Sequence, residues 1–241
     1  MATTRIIDLT QGFYEGMPSY GASWYPPFTI RRAMTPETDP AGLQRTFTQL
    51  EIFAHNGTHV DVPVHYIPGG DSLERIPLEN FAGPALVADL SHKGLRQPVS
   101  GGDLEAAVGS LWEPGLRLLI RTGYHDQYWG DPDFWEKPPY LVESAARWLV
   151  EGGARLVGLD CLTEKPGDRQ APVHRTLLGN GVPILEYLRN LAALPVGRKV
   201  QLIALPTRVD GVEASPVRAV VLLEDEAGPK AAEDGEPIDG R

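Results

Sequence analysis

His55-Asn56-Gly57-Thr58-His59-Val60-Asp61-Val62-Pro63-Val64-His65 places three of the chain's six histidines and one aspartate within eleven residues. Imidazole and carboxylate are the donors that borderline divalent ions such as zinc prefer. The spacing constrains the backbone. In a fully extended chain His55 and His59 would stand roughly 13 Å apart, too far to share an ion. One helix-like turn brings positions i and i+4 to roughly 6 Å. A shared ion therefore requires the chain to curl between them, and Gly57, midway, tolerates the positive φ of a tight curl. From His59 a strand-like alternation turns His59, Asp61 and His65 to one side. Pro63 has no N–H to donate, so the stretch should not continue through the middle of a sheet. The competing reading is a set of ordinary polar residues around a turn. It suits one histidine better than three with an aspartate.

Outward from this stretch, residues 45–53 read as a strand, with Thr46, Thr48, Leu50 and Ile52 on one face, delivering the chain into His55. Residues 34–44 form a connection marked by Pro36, Pro40 and Gly42, and residues 5–9 a first short strand. Residues 11–27 are rich in Gly, Pro and aromatics (Phe13, Tyr14, Tyr20, Trp24, Tyr25), which argues against a helix. They read equally as a surface loop pinned by its aromatic packing or as an aromatic lid over a pocket.

On the other side, residues 66–71 are turn-rich and 72–80 hold a short helical turn. Apolar runs at 83–90, 116–122 and 155–160 read as buried strands. Residues 104–111 read as a helix capped near Asp103, and 140–151 as an amphipathic helix ended by Gly152-Gly153. Residues 123–139 form a second long aromatic segment, with Tyr124, His125, Tyr128, Trp129, Phe134 and Trp135; loops of this length often act as lids. A short helix at 173–178 follows a polar turn. The stripe Leu185, Leu188, Leu191 predicts a second helix over 184–194, and 200–205 and 218–223 are the last strands. Helix, turn and apolar strand in succession imply an α/β domain with a mixed sheet flanked by helices. No repeat or linker divides residues 1–224. The last eighteen residues hold seven acids and two bases, and 225–241 reads as a disordered tail.

The chain has 241 residues, 42% hydrophobic and 22% charged, enough for one large domain with a substantial core. A formal charge of −10 argues against a nucleic-acid partner. One cysteine, Cys161, rules out an intrachain disulfide and reads as a small buried hydrophobe. No run approaches the roughly 20 apolar residues of a membrane span. The expectation is a cytoplasmic protein without membrane contact. His92 and His125 read as surface histidines, although His125 falls in the second aromatic segment.

Two further residues stand apart. His174 precedes an apolar patch and Glu186 lies twelve residues on. Alone, each reads as an ordinary surface or solvated side chain.

The opening stretch resembles the His-x-Gly-Thr-His-x-Asp-x-Pro-x-His signature of the cyclase-like metal-dependent hydrolases, which include bacterial kynurenine formamidases and isatin hydrolases. It matches every defined position, at His55, Gly57, Thr58, His59, Asp61, Pro63 and His65. The resemblance extends from the 5–9 strand to the strand near Leu223, and implies a swivelling β/β/α fold. It also implies a site with two zinc ions per subunit, or manganese. One ion would lie on His55, His59, Asp61 and Glu186, and the second on Asp61, His174 and Glu186, with His65 as general acid/base. Such ions acidify a bound water and polarise a carbonyl.

The implied activity is hydrolysis of an aryl formamide, N-formylkynurenine to kynurenine and formate. The alternatives are ring opening of a cyclic amide such as isatin, or a metal-stabilised binding protein without activity. The formamidases carry a substrate-contacting tryptophan in a Pro-x-Trp-Pro-Gly-like segment. Here the stretch is Pro18-Ser19-Tyr20-Gly21, so Tyr20 is the expected substrate contact. The partners implied are a small-molecule substrate and further copies of the chain, as a dimer or tetramer.

Overall fold

The computed structural model describes residues 4–224; the acidic tail at 225–241 lies outside them. In chain order the strands are β1 (Thr4–Asp8), β2 (Thr29–Met34), β3 (Phe47–Glu51), β4 (His59–Asp61), β5 (Ala82–Asp89), β6 (Pro98–Val99), β7 (Arg117–Arg121), β8 (Tyr140–Leu141), β9 (Leu156–Leu159), β10 (Ile184–Glu186), β11 (Val200–Ile203), β12 (Ala214–Pro216) and β13 (Val220–Glu224). The helices are α1 (Leu78–Phe81), α2 (Gly101–Val108), α3 (Tyr124–Tyr128), α4 (Glu143–Glu151) and α5 (Pro172–Gly179).

Nine strands form one mixed sheet in the order β1-β13-β11-β5-β7-β9-β10-β4-β12. The central run β5, β7, β9, β10 is parallel, and the outer pairings are antiparallel. Parallel strands covered on both faces read as unbroken apolar runs, which is why 85–88, 118–120 and 156–159 were recognisable. Alternation then splits them. Leu86, Leu118 and Ile120 pack beneath α2, α4 and the aromatic segment 124–135. Val87, Leu119 and Leu185 face a second core that also takes Ile7, Val60, Leu202 and Val221. Residues from distant strands meet there because the sheet curls. Just past β1, Thr10 bridges Leu188 just past β10. Gly158 in β9 lets side chains pack closely here, since a Cβ would fall 2.9 Å from both Leu119 Cδ2 and Leu188 Cδ1. The architecture is the expected single α/β domain with a mixed sheet.

The structure corrects several local expectations. The helix expected over 184–194 is strand β10 followed by a short 3-10 turn at Leu191–Ala193. Ile184, Leu185 and Glu186 are all buried between β9 and β4. Tyr187 and Asn190 have φ of 57° and 59°, which a right-handed helix does not permit. The three-residue stripe thus comes from a strand and a turn lining one core. Strands β2 and β12 had no sequence signal of their own. β2 pairs with β3 as a hairpin outside the main sheet, and β12 is three residues ending in proline. β4 does lie inside the sheet, paired with β10 and β12, but it stops at Asp61, before Pro63 starts a 3-10 turn. The cap of α2 is Ser100, whose side chain accepts the Asp103 N–H while Asp103 accepts the Ser100 N–H.

His125 is buried, not at the surface, and stacks on Trp129 at 4.8 Å. Cys161 is buried as expected. No helix among the described residues is long and apolar enough to cross a membrane.

Candidate metal centre

The curl inferred between His55 and His59 is present. Asn56 Oδ1 accepts the Phe53 N–H at 2.8 Å, Asn56 N–H returns to the Phe53 carbonyl at 2.9 Å, and Gly57 has φ of +57°. A Cβ on Gly57 would lie 3.4 Å from the Gln11 carbonyl. Thr58 ties this turn to two distant segments: its Oγ1 accepts the Gln11 N–H at 2.8 Å and donates to the Tyr187 carbonyl at 2.7 Å. His55 Nδ1 thereby comes to 3.2 Å from His59 Nε2. β4 then turns His59 and Asp61 to the site and Val60 to the core. The 3-10 turn at Pro63–His65 folds His65 back until its ring lies 4.5 Å from that of His55.

The residues distant in sequence arrive here as well. β10 places Glu186 and the start of α5 places His174. Asp61 Oδ1 lies 3.0 Å from His55 Nδ1 and 3.3 Å from His59 Nε2, while its Oδ2 lies 3.7 Å from His174 Nε2. Glu186 divides its oxygens the same way, with Oε2 3.9 Å from His59 Nε2 and Oε1 3.8 Å from His174 Nε2. Each carboxylate therefore faces both sides, and His174 stands opposite the His55–His59 pair.

The donor set fits a divalent cation. Two donors each about 2 Å from one tetrahedral ion stand roughly 3.3 Å apart, and the His55, His59 and Asp61 atoms are separated by 3.0 to 3.3 Å. Asp61 Oδ1 is buried with no donor in hydrogen-bonding geometry and only the ring nitrogens of His55 and His59 beside it, which is costly for an anion unless a cation, a protonated imidazole or a metal ion, sits against it. No lysine or arginine among the described residues pairs with Asp61 or Glu186. The histidines alone answer that charge: burial opposes protonation of His55 and His174, but Asp61 with Glu213 around the first, and Asp61 with Glu164 around the second, outweigh it and push each up to about 10. Asp61 is held well below the carboxylate range by His59 and His55 despite its burial. His65 differs. Burial pushes it down to about 4, so it is neutral at pH 7. Donor atoms group as His55, Asp61 and His65, and as His59, Asp61 and Glu186, each set within 4.8 Å. Distance alone thus also admits His65 as a donor.

These residues floor a cleft of about 590 Å³. Tyr20, Trp24, Tyr25 and Phe53 line it, so the first aromatic segment does stand over the site. The second does not line it. Trp135 instead supports Tyr20 edge-on at 6.3 Å and donates to the Tyr187 hydroxyl at 3.2 Å. Sequence reasoning missed Glu164, Glu213, Tyr66 and Tyr187. Glu164, Glu213 and Tyr187 have no spacing relationship to the opening stretch, Tyr66 directly follows it but read only as part of a turn, and Glu164 sat in a segment legible only as polar and turn-rich. Lys165 and Arg169 also line the cleft, exposed, and neither pairs with a carboxylate among the described residues.

A family model described as putative cyclase matches residues 7–164. The kynurenine formamidase of Salinibacter ruber is 34% identical over 177 residues, covering 71% of this chain and 77% of that protein. Among solved structures, isatin hydrolase A from Ralstonia solanacearum superposes with a TM-score of 0.80 at 28% identity, covering 92% of each chain. A predicted metal-dependent hydrolase from Bacillus stearothermophilus superposes with a TM-score of 0.73 at 29% identity, covering 92% of this chain and 99% of that one.

Proposed function

The chain belongs to the cyclase family, and on that premise we propose that it is a metal-dependent hydrolase of a small aromatic amide, N-formylkynurenine or a close aryl formamide, releasing the amine and formate. The observation that carries this reading is the division of Asp61 and Glu186 oxygens between the His59 and His174 sides of one buried site. Two ions, zinc or manganese, would be held by His55, His59, Asp61 and Glu186 on one side and by Asp61, His174 and Glu186 on the other. When bound, they supply an acidified water and a polarised carbonyl.

The chain's own residues do the rest. His65 lines the cleft, neutral, with a ring nitrogen free to accept a proton and pass it to the departing nitrogen. With His65 outside the proposed ligand set, a purely structural metal site would have no use for it, which favours an enzyme over a binding protein. Tyr20, Trp24, Tyr25 and Phe53 offer flat apolar surface for an aromatic ring. Lys165 and Arg169 at the rim suit a substrate that carries a carboxylate besides its amide, as N-formylkynurenine does.

Ring opening of a cyclic amide such as isatin is the second reading, favoured by the 0.80 superposition on an isatin hydrolase. Isatin carries no anion for the rim cations. Self-association belongs to the same proposal: β3 is exposed along its whole length, with Phe47 and Leu50 both more than half exposed, and an isolated two-stranded hairpin is marginal unless covered.

The deciding experiment is a substrate panel, N-formylkynurenine and unsubstituted formanilide against isatin, run on protein of measured metal content. Faster turnover of N-formylkynurenine than of both others supports the first reading. Preference for isatin replaces it with the second, and no turnover of any by fully loaded protein sinks both.

A further inference from the structure

Each of the three histidines around Asp61 and Glu186 turns one ring nitrogen toward those carboxylates and the other away. The outward nitrogen always meets a fixed acceptor. His59 Nδ1 faces the Gly57 carbonyl at 2.9 Å, His174 Nδ1 faces Glu164 Oε1 at 3.2 Å, and His55 Nε2 faces Glu213 Oε1 at 3.3 Å. A neutral imidazole has one N–H and one lone pair, so an acceptor on one nitrogen leaves the lone pair on the other. In all three rings the neutral form, the one that binds a metal, would therefore direct its lone pair inward.

Two of these acceptors are carboxylates that belong to neither donor side. Glu164 Oε1 also accepts the backbone N–H of His174 at 2.7 Å, so one oxygen orients both the ring and the first turn of α5. Glu164 is only 7% exposed, where water competes little for it. Glu213 sits one residue before β12, and the pairing of Ala214 with Asp61 holds it on the His55 side of the site. Its side chain is 39% exposed, at the cleft wall.

We propose that Glu164 and Glu213 are positioning residues for metal binding, holding His174 and His55 in the tautomer and ring orientation that presents a lone pair to a divalent ion. The proposal rests on the metal-dependent reading above. A carboxylate acceptor also makes the ring a stronger donor, and such partners typically carry about 10- to 100-fold in metal affinity. Each acts on one side only: Glu164 on the side of His174, Glu213 on the side of His55 and His59. Because Glu164 is buried and doubly bonded, it carries the larger share.

The test measures zinc affinity and stoichiometry, by competition with a chromophoric chelator, for the wild type and for E164A, E164Q, E213A and E213Q. Melting of the metal-stripped proteins is followed in parallel. The expected result is that E164A weakens one of the two ions by about 10- to 100-fold and E213A weakens the other by less. Each glutamine variant falls between alanine and wild type, since its amide oxygen still accepts the ring N–H. Variants that melt lower when stripped yet take up zinc with wild-type affinity overturn the proposal, because the carboxylates then serve the fold alone. Should E164A not fold, E164Q decides: affinity equal to wild type overturns, weaker affinity supports. Wild-type protein that takes up no divalent ion refutes the metal reading itself, whereas wild-type uptake matched by every variant refutes only the positioning role.

Discussion

Glu186 on β10 stands directly across from His59 on β4 in their antiparallel register. Opposite residues of antiparallel strands send their side chains to the same face, so this pairing alone brings the glutamate to the histidine pair. Glu186 Oε1 also accepts the Thr163 N–H at 2.8 Å. Glu186→Ala is expected to lose at least one metal ion per chain and most of the hydrolysis. Elemental analysis of purified protein checks it, and full occupancy would remove Glu186 from the donor set.

His65→Ala is expected to keep both the fold and the metal but to lower kcat by about 10²- to 10⁴-fold, the range of a general acid/base. Turnover with paired metal analysis is the measurement. Lost metal together with retained turnover of whatever stays loaded would make His65 a ligand and not the proton carrier.

Replacing both Lys165 and Arg169 by alanine should raise KM for N-formylkynurenine by about 2- to 30-fold, since each of the two exposed ion pairs contributes roughly 0.2–1 kcal/mol. KM for isatin should stay within error. An equal rise for both substrates would mean that the rim shapes the cleft and does not read charge.

Thr58→Val preserves shape but removes the hydroxyl between Gln11 N–H and the Tyr187 carbonyl, both 7% exposed or less. Two buried groups left without partners cost about 3 kcal/mol together. Urea unfolding should show the midpoint moving down accordingly, and an unchanged midpoint would mean that water replaces the hydroxyl.

Acid should unfold the protein partly through two surface carboxylates. Asp89 is pushed down to about 2 by its hydrogen bond with Arg121, and Asp103 to about 2 by Lys93 and Ser100 against the opposing effect of burial. A depressed folded-state value means stability that is present above the unfolded value of 3.8 and is lost as pH falls toward 2. Asp160 works in the opposite sense, since burial pushes it up to about 6 and its contribution falls as pH rises from about 4 to 6. Denaturant titrations at pH 7, 4 and 2 should show Asp89→Asn losing less stability than wild type between pH 4 and 2. Parallel losses in both proteins would rule Asp89 out.

The donors within the opening stretch were legible because their geometry is local. Two histidines four positions apart, with a glycine midway, require a curl if they share an ion, and the alternating pair after it reads as a strand. His174 and Glu186 were visible only through the resemblance, since each sits among residues that read as ordinary. The apolar strands of the parallel centre were legible because both faces are covered, which removes the ambiguity of alternation. The segment 184–194 failed for the converse reason: a buried three-residue strand followed by a turn reproduces the spacing of a helical stripe. Only the positive φ at Tyr187 and Asn190 distinguishes them, and neither residue type signals that in advance.

By itself, then, the sequence determined that one turn would bring His55 to His59, that proline would end the strand carrying His59 and Asp61, and that the chain would form an α/β domain. Tertiary structure alone decided which distant groups complete the site. Strand register set Glu186 against His59, the curl of the sheet brought Glu213 to His55, and the start of α5 brought His174 and Glu164 together. The first two placements join residues 127 and 158 positions apart in the chain, and no local propensity encodes such separations. They follow from burying both faces of a sheet that closes back on itself.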